Sequence, residues 1–259
     1  MTSRDLTPLL PVAAAATSAV GRRSFSDWSY VLAFGAVGWP WLLRSLSGGG
    51  ETARAALLER LDLPGEALPN LGSWKADAGF LHLIVDHIEA ARPRLVIEFG
   101  VGGSTLVTAR ALQKYGGGRL ISFDQHREFA RSTAEWLRSY GLHADIRDVP
   151  LVPSPGDWPG VWYDHGTIAD PIDMLIIDGP PWTIHPYVRG AAEVLFPRLA
   201  AGGSILLDDG ARPGERVIAR RWRERWPAIE FELRKSGSKG TLVGRRATGA
   251  AMATTAEEG

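Results

Sequence analysis

The chain has 259 residues, 45% hydrophobic and 22% charged, enough apolar material for one full core with a modest extension. Acidic and basic residues balance at 29 each, so no global field draws in nucleic acid or anionic lipid, and neither a nucleic-acid partner nor stable membrane insertion is expected. Cysteine is absent, which excludes disulfides, thiolate metal sites and cysteine nucleophiles together and fits a reducing, cytoplasmic setting.

Leu6–Val20 is apolar but lacks a strong basic flank, so it makes a poor signal peptide. Tyr30–Leu43 is uncharged, yet too short and too broken by Gly and Pro for a stable membrane span. Ser47-Gly48-Gly49-Gly50 reads as a linker, and Glu51–Leu61 as a short helix stopped by Pro64-Gly65. Residues 1–73 are thus expected to form a helical extension, either a lid or an arm for homo-oligomerisation. Residues 74–246 form the main domain, and 247–259 a frayed polar tail.

Within that domain Asp77–Ala91 repeats apolar residues at helical spacing. Leu95–Phe99, Leu120–Phe123, Met174–Ile177 and Ile205–Leu207 are short apolar runs, each ending at Gly or Asp, as strands buried on both faces require. Ser104–Tyr115, Arg127–Tyr140, Tyr187–Leu199 and Gly214–Trp226 read as the intervening helices. Ile229–Leu233 and Gly240–Gly244 close the domain as an antiparallel hairpin. The alternation predicts an α/β, doubly wound, mostly parallel seven-stranded sheet.

The turn Glu98-Phe99-Gly100-Val101-Gly102-Gly103-Ser104-Thr105 joins the first strand to its helix. Glycines there allow a sharp bend and close approach of a ligand. A dinucleotide phosphate is the usual occupant of such a bend. Here Thr105 replaces the third glycine of that fingerprint, and Glu98 would repel a pyrophosphate but attract a sulfonium or an amino group. Asp124 ends the neighbouring strand at the same edge, where a carboxylate can accept from two hydroxyls. At this point the sequence resembles the class I, Rossmann-like methyltransferases that use S-adenosylmethionine. Glu98, Gly100 and Gly102 match their first motif, and Asp124 matches the acidic residue that holds the ribose. The resemblance implies cofactor contacts from these residues with Ser104, Thr105 and Asp148, the last near adenine or, equally, a solvated loop residue. A nicotinamide-dependent oxidoreductase and a non-catalytic binding protein of the same fold are the competing readings.

Met174–Asp178 leads into Gly179-Pro180-Pro181-Trp182. Adenine amino-methyltransferases place Pro-Pro directly after their acidic residue; here Gly179 intervenes, and no basic recognition domain is present. The better likeness is to metal-assisted O-methyltransferases of the catechol and macrocin types. In them an Asp follows the fourth strand and an acidic pair the fifth, matched by Asp178 and by Asp208-Asp209. That resemblance implies Mg²⁺ on Asp178, Asp208 and Asp209, with a small-molecule or saccharide hydroxyl as acceptor. The alternative is that the pair caps a helix or solvates a loop. His185, seven residues after Asp178, is a candidate general base beside a catalytic Asp178, or a helix-terminal residue bonded to backbone. Pro153–Asp164, rich in proline and aromatics, reads as a loop over the acceptor, with core packing as the commoner fate of Trp158, Trp162 and Tyr163. Arg216, Arg220 and Arg223 read as a solvated helix face.

Overall fold

The computed structural model describes residues 29–30, 32–34, 50–68, 76–235 and 237–249. The stretch 6–20, most of 30–43, the glycine linker at 47–49, the 73/74 boundary and the tail from 250 onward lie outside the described residues.

In chain order come α1 (Glu51–Arg60), α2 (Ala78–Ala91), β1 (Leu95–Phe99), α3 (Gly103–Tyr115), β2 (Arg119–Asp124), α4 (Arg127–Ser139), β3 (Asp145–Asp148) and a hairpin of β4 (Leu151–Pro153) with β5 (Val161–Tyr163). Then follow β6 (Ile172–Ile177), a 3₁₀ segment (Val188–Arg198), β7 (Leu199–Leu207), α5 (Pro213–Arg225), β8 (Ile229–Arg234) and β9 (Thr241–Arg246). Seven strands form one sheet in the order β3-β2-β1-β6-β7-β9-β8. β9 runs antiparallel to both of its neighbours, and the other adjacent pairs are parallel. The terminal hairpin therefore inserts its second strand beside β7 and leaves its first at the edge.

Period-two alternation divides the strand side chains between two cores. Val96, Leu120, Met174, Ile176 and Leu206 face α1, α2 and α3. Ile97, Phe99, Phe123, Leu175, Ile177 and Leu207 face the β4–β5 hairpin, the 3₁₀ segment and α5. Leu57, Leu58 and Leu61 of the α1 region join the first core, so 51–61 packs as part of the domain. At β1 the chain has gone to β2 on one side and returns to β6 on the other. That reversal opens a crevice at the carboxyl ends of β1 and β6.

One expectation is corrected. The stretch expected as a helix over Tyr187–Leu199 is a 3₁₀ run over Val188–Arg198 and not an α-helix, although the same apolar residues Val188, Ala191, Ala192 and Leu195 are buried. Pro197 has no N–H to donate, and the Gly190 carbonyl accepts from the Trp222 indole at 3.1 Å, so two groups needed for an α-helical ladder are spent otherwise. The aromatics of the stretch 153–164 take the commoner fate expected of them: Trp158 and Trp162 are buried in the second core, with Trp162 4.8 Å from the Phe99 ring. Among the described residues no helix is long and apolar enough to cross a membrane.

Candidate active site

The turn after β1 is held by hydrogen bonds from its own amides. The Gly100 N–H donates to the Phe123 carbonyl at 2.9 Å, Val101 N–H to Asp124 Oδ2 at 3.2 Å, and Gly102 N–H to Thr105 Oγ1 at 2.9 Å. Gly100 adopts φ 89°, and a Cβ there would lie 2.9 Å from the Gly179 nitrogen, so glycine is required for the β1 and β6 ends to meet. Asp124 is buried and also accepts the His126 N–H at 2.7 Å; burial raises its pKa against these bonds. Each of its oxygens thus accepts a backbone N–H at the edge of the bend, whose three amides are already occupied. His126 contributes backbone alone to this contact. Asp148 pairs in register with Asp124 and is engaged by Arg127 at 2.9 Å on the surface.

Glu98 has no exposed surface. Strand alternation points it beneath the turn toward α3, where it accepts from Ser122 Oγ at 2.6 Å. Burial lifts its pKa to about 7, opposed by the hydroxyls of Ser122, Ser104 and Thr105. Ser104 and Thr105 are themselves buried at the start of α3. Glu98, Ser104 and Thr105 thus form the floor that shapes the bend.

Asp178, Asp208 and Asp209 converge at the ends of β6 and β7. The sheet ladder continues one residue past each strand: Asp178 N–H donates to the Phe99 carbonyl at 2.8 Å and Asp208 N–H to that of Ile177 at 3.0 Å. Each of the three offers a carboxylate oxygen, and these atoms lie within 4.8 Å of one another. Such like charges repel, and four residues not singled out by sequence spacing surround them. Arg189 is buried; its guanidinium donates to the carbonyls of Pro180, Asp208 and Asp178 and to Asp209 Oδ2, the last at 3.2 Å. Arg212 bonds the same Asp209 oxygen at 2.8 Å, and Glu215 lies 3.9 Å from Arg189. Lys239, from the β8–β9 turn, sets its Nζ 3.6 Å from Asp209 Oδ1 and 3.9 Å from Asp208 Oδ2.

These cations divide the trio unequally. Burial raises the Asp209 pKa, but Arg212, Lys239 and Arg189 outweigh it and hold the carboxyl below its usual range. Burial and its two acidic neighbours push Asp208 well above. Neither Asp208 oxygen, nor Asp209 Oδ1, has a hydrogen-bond partner among the described residues. Three unbonded, inward-facing carboxylate oxygens are the donor set a hard divalent cation takes, so the residues fit Mg²⁺. Asp209 also adopts φ 60°, a left-handed conformation its ion pairs to Arg189 and Arg212 hold in place.

His185 is buried in the turn before the 3₁₀ segment, where Nδ1 accepts the Tyr187 N–H at 3.1 Å. Tyr30 lies over it, 5.7 Å between ring centres, and Phe34 stands edge-on to Tyr187 at 5.3 Å. Phe34, Trp182, Pro186, Arg212 and Glu215 line a narrow cleft beside the acidic trio. Tyr163 stacks on Phe99 at 5.2 Å and sends its hydroxyl to Gly179, where any Cβ would collide with it. The one sequence signal for Arg189 is a charge set among apolar residues, which marks it as buried but names no partner; Lys239 carries no local signal, because its partners stand at 208 and 209.

A mostly parallel sheet in this order, with one antiparallel strand inserted second from the edge and a glycine bend at the reversal, is the fold of the class I, Rossmann-like methyltransferases. Residues 97–210 match a family described as "Methyltransferase domain". No curated protein matches the chain in sequence. Among solved structures it is similar to an O-methyltransferase from Bacillus cereus in complex with SAH, at 15% identity and TM-score 0.52, covering 76% of this chain and 91% of that one. It is also similar to an SAH-bound methyltransferase from Podospora anserina, at 13% identity and TM-score 0.51 over 75% and 87% of the two chains. A cofactor-bound protein from MTB gives 22% identity and TM-score 0.50 over 76% and 91%. At these identities the likeness is one of fold.

Glu98 yields a pH prediction. With its pKa lifted from 4.5 to about 7, the folded state keeps a proton that the unfolded chain has released. Stability from this group is complete below the unfolded value and is lost as pH rises through the folded one. Glu98→Gln, which removes the charge, is expected to gain on wild type by on the order of 2 kcal/mol between about pH 5 and about pH 8. Thermal melts of both proteins at the two pH values check this; a constant difference would mean the carboxylate is ionised throughout.

Proposed function

We propose that the chain is an S-adenosylmethionine-dependent O-methyltransferase acting on a small-molecule hydroxyl with the help of a divalent cation. The observation that carries the donor assignment is the state of the glycine bend. Its three amides at Gly100, Val101 and Gly102 are spent inside the protein, one of them on the Asp124 carboxylate. A diphosphate needs free N–H donors and no adjacent negative charge. A ribose diol needs an acceptor, and a sulfonium is drawn to negative charge. In this reading Asp124 holds the ribose, Gly100 and Gly102 let the donor lie against the backbone, and Asp148 faces the adenine side. Glu98, Ser104 and Thr105 act from beneath by fixing the bend. When bound, S-adenosylmethionine supplies the methyl group, so the protein's task is to align the acceptor and remove its proton.

Asp178, Asp208 and Asp209 would hold Mg²⁺, which in such a site lowers the pKa of a neighbouring hydroxyl. Asp178, the least buried of the three, faces the crevice and orients the acceptor oxygen. His185 takes the acceptor proton, its ring fixed by the Tyr187 N–H on Nδ1. A saccharide hydroxyl is the first acceptor class to test, on the Asp178…Asp208-Asp209 pattern alone. The tryptophans of 153–164 add nothing to this choice, because they are buried in the core. The extension supplies a wall of the acceptor cleft through Phe34.

Calorimetric titration with SAH and with NAD separates the donor readings. SAH is expected to bind, NAD not, and Asp124→Ala to weaken SAH at least tenfold; tighter binding of NAD would overturn the donor assignment. On a panel of saccharide and phenolic acceptors, EDTA is expected to remove turnover and Mg²⁺ to restore it, and full activity in EDTA would exclude cation assistance. His185→Ala should lower kcat by about two orders of magnitude while SAH affinity stays constant. An unchanged kcat would take His185 out of the reaction, and no turnover of any acceptor would favour a binding protein.

A further inference from the structure

The acidic trio already has a cation of its own. Among the described residues the cluster holds four acids, the trio and Glu215, and three bases, Arg189, Arg212 and Lys239. The two arginines have fixed duties. Arg189 spends its guanidinium on the strand-end carbonyls of Asp178 and Asp208, on the Pro180 carbonyl, and on Asp178 Oδ1 and Asp209 Oδ2, and Arg212 closes on that same Asp209 oxygen. Among the described residues, the base on the other side is Lys239. Its Nζ is 3.6 Å from Asp209 Oδ1 and 3.9 Å from Asp208 Oδ2, two of the three oxygens left without a hydrogen bond. Those distances are within ion-pair range and beyond hydrogen-bond length.

Resting on the cation site proposed above, we infer that Lys239 is the site's resident counter-charge and competes with the divalent cation for Asp208 and Asp209. An ammonium suits this duty better than a guanidinium: it is a compact point charge on a flexible four-carbon stem, able to withdraw without breaking a bidentate pair. Its seat is fixed from outside. The β8–β9 turn is clasped by Asp77 at the start of α2, whose Oδ2 accepts the Ser238 N–H at 2.9 Å and the Ser238 hydroxyl at 2.6 Å. The Gly210 and Ala211 amides donate to the carbonyls of Gly240 and Lys239, at 2.8 and 3.1 Å. The turn thus brings its charge to the loop that carries the acidic pair, and Lys239 is a positioning residue that sets how tightly a cation is held.

The test is a Mn²⁺ titration of wild type, Lys239→Met and Lys239→Arg, with free Mn²⁺ read by electron paramagnetic resonance and SAH binding measured in parallel. Lys239→Met removes the charge and keeps the stem, and is expected to tighten Mn²⁺ at least tenfold. In EDTA its thermal midpoint should fall below that of wild type and recover on adding Mn²⁺. Lys239→Arg, which keeps the charge, should bind Mn²⁺ no more tightly than wild type. Mn²⁺ affinity unchanged or weakened in Lys239→Met overturns the inference and leaves the cation site standing. Absence of Mn²⁺ binding in every protein, with SAH still bound, overturns both and leaves the methyl-donor assignment intact. Should Lys239→Met fail to bind SAH as a sign of misfolding, Lys239→Gln carries the same comparison with the same outcomes.

Discussion

Three carboxylates at adjacent strand ends cannot be buried together unless something opposes their repulsion, and here the buried guanidinium of Arg189 does so. It bonds the carbonyls that close β6 and β7 and, at 3.2 Å, the Asp209 carboxylate, so the two loops and their charges are fixed by one side chain. A buried charge pair of this kind adds little net stability, since desolvation offsets most of the attraction. What it determines is geometry. With Arg189 in place the acidic residues face inward at a common point, and Asp209 keeps a left-handed backbone that a lone aspartate would resist.

The neighbouring bend solves an opposite problem. Phosphate-binding loops leave their amides free; this one satisfies Gly100, Val101 and Gly102 internally and brings the Asp124 carboxylate against them. The same chain geometry, glycine bend followed by helix, is thereby turned from an anion site into an acceptor-rich one. Glu98 contributes from below: it is wholly buried on the α3 side of the sheet, its charge partly suppressed at neutral pH. Its sequence position suggests direct contact with a cationic ligand, whereas its burial makes it part of the floor.

The glycine bend and the acidic trio meet because β1 and β6 are adjacent. Gly100 and Gly179 touch across that gap, and Tyr163 and Phe99 stack beneath it. The β4–β5 hairpin closes the lower face of the crevice with its tryptophans, while Phe34 and Trp182 line its outer wall. Rigid packing under the site and a cleft beside it is the arrangement that alignment-driven group transfer requires.

Local pattern was sufficient for much of this. Short continuous apolar runs ending in Gly or Asp marked β1, β2, β6 and β7, and helical spacing marked α2 to α5, because burial on both faces of a strand or one face of a helix leaves its pattern in the chain. Gly100, Gly102, Asp124, Asp178, Asp208 and Asp209 were legible for a related reason: in a parallel sheet the residue after a strand is carried to one common edge. Tertiary structure alone decided the rest. The 187–199 stripe became a 3₁₀ run once Trp222 took the Gly190 carbonyl, and the 153–164 aromatics went into the core once the hairpin folded against Phe99. Arg189 and Lys239 meet the acidic trio across gaps in the chain that no local period spans. Periodicity records which face of an element is dry; it does not record which distant charge will be buried against which, since that depends on how the elements pack.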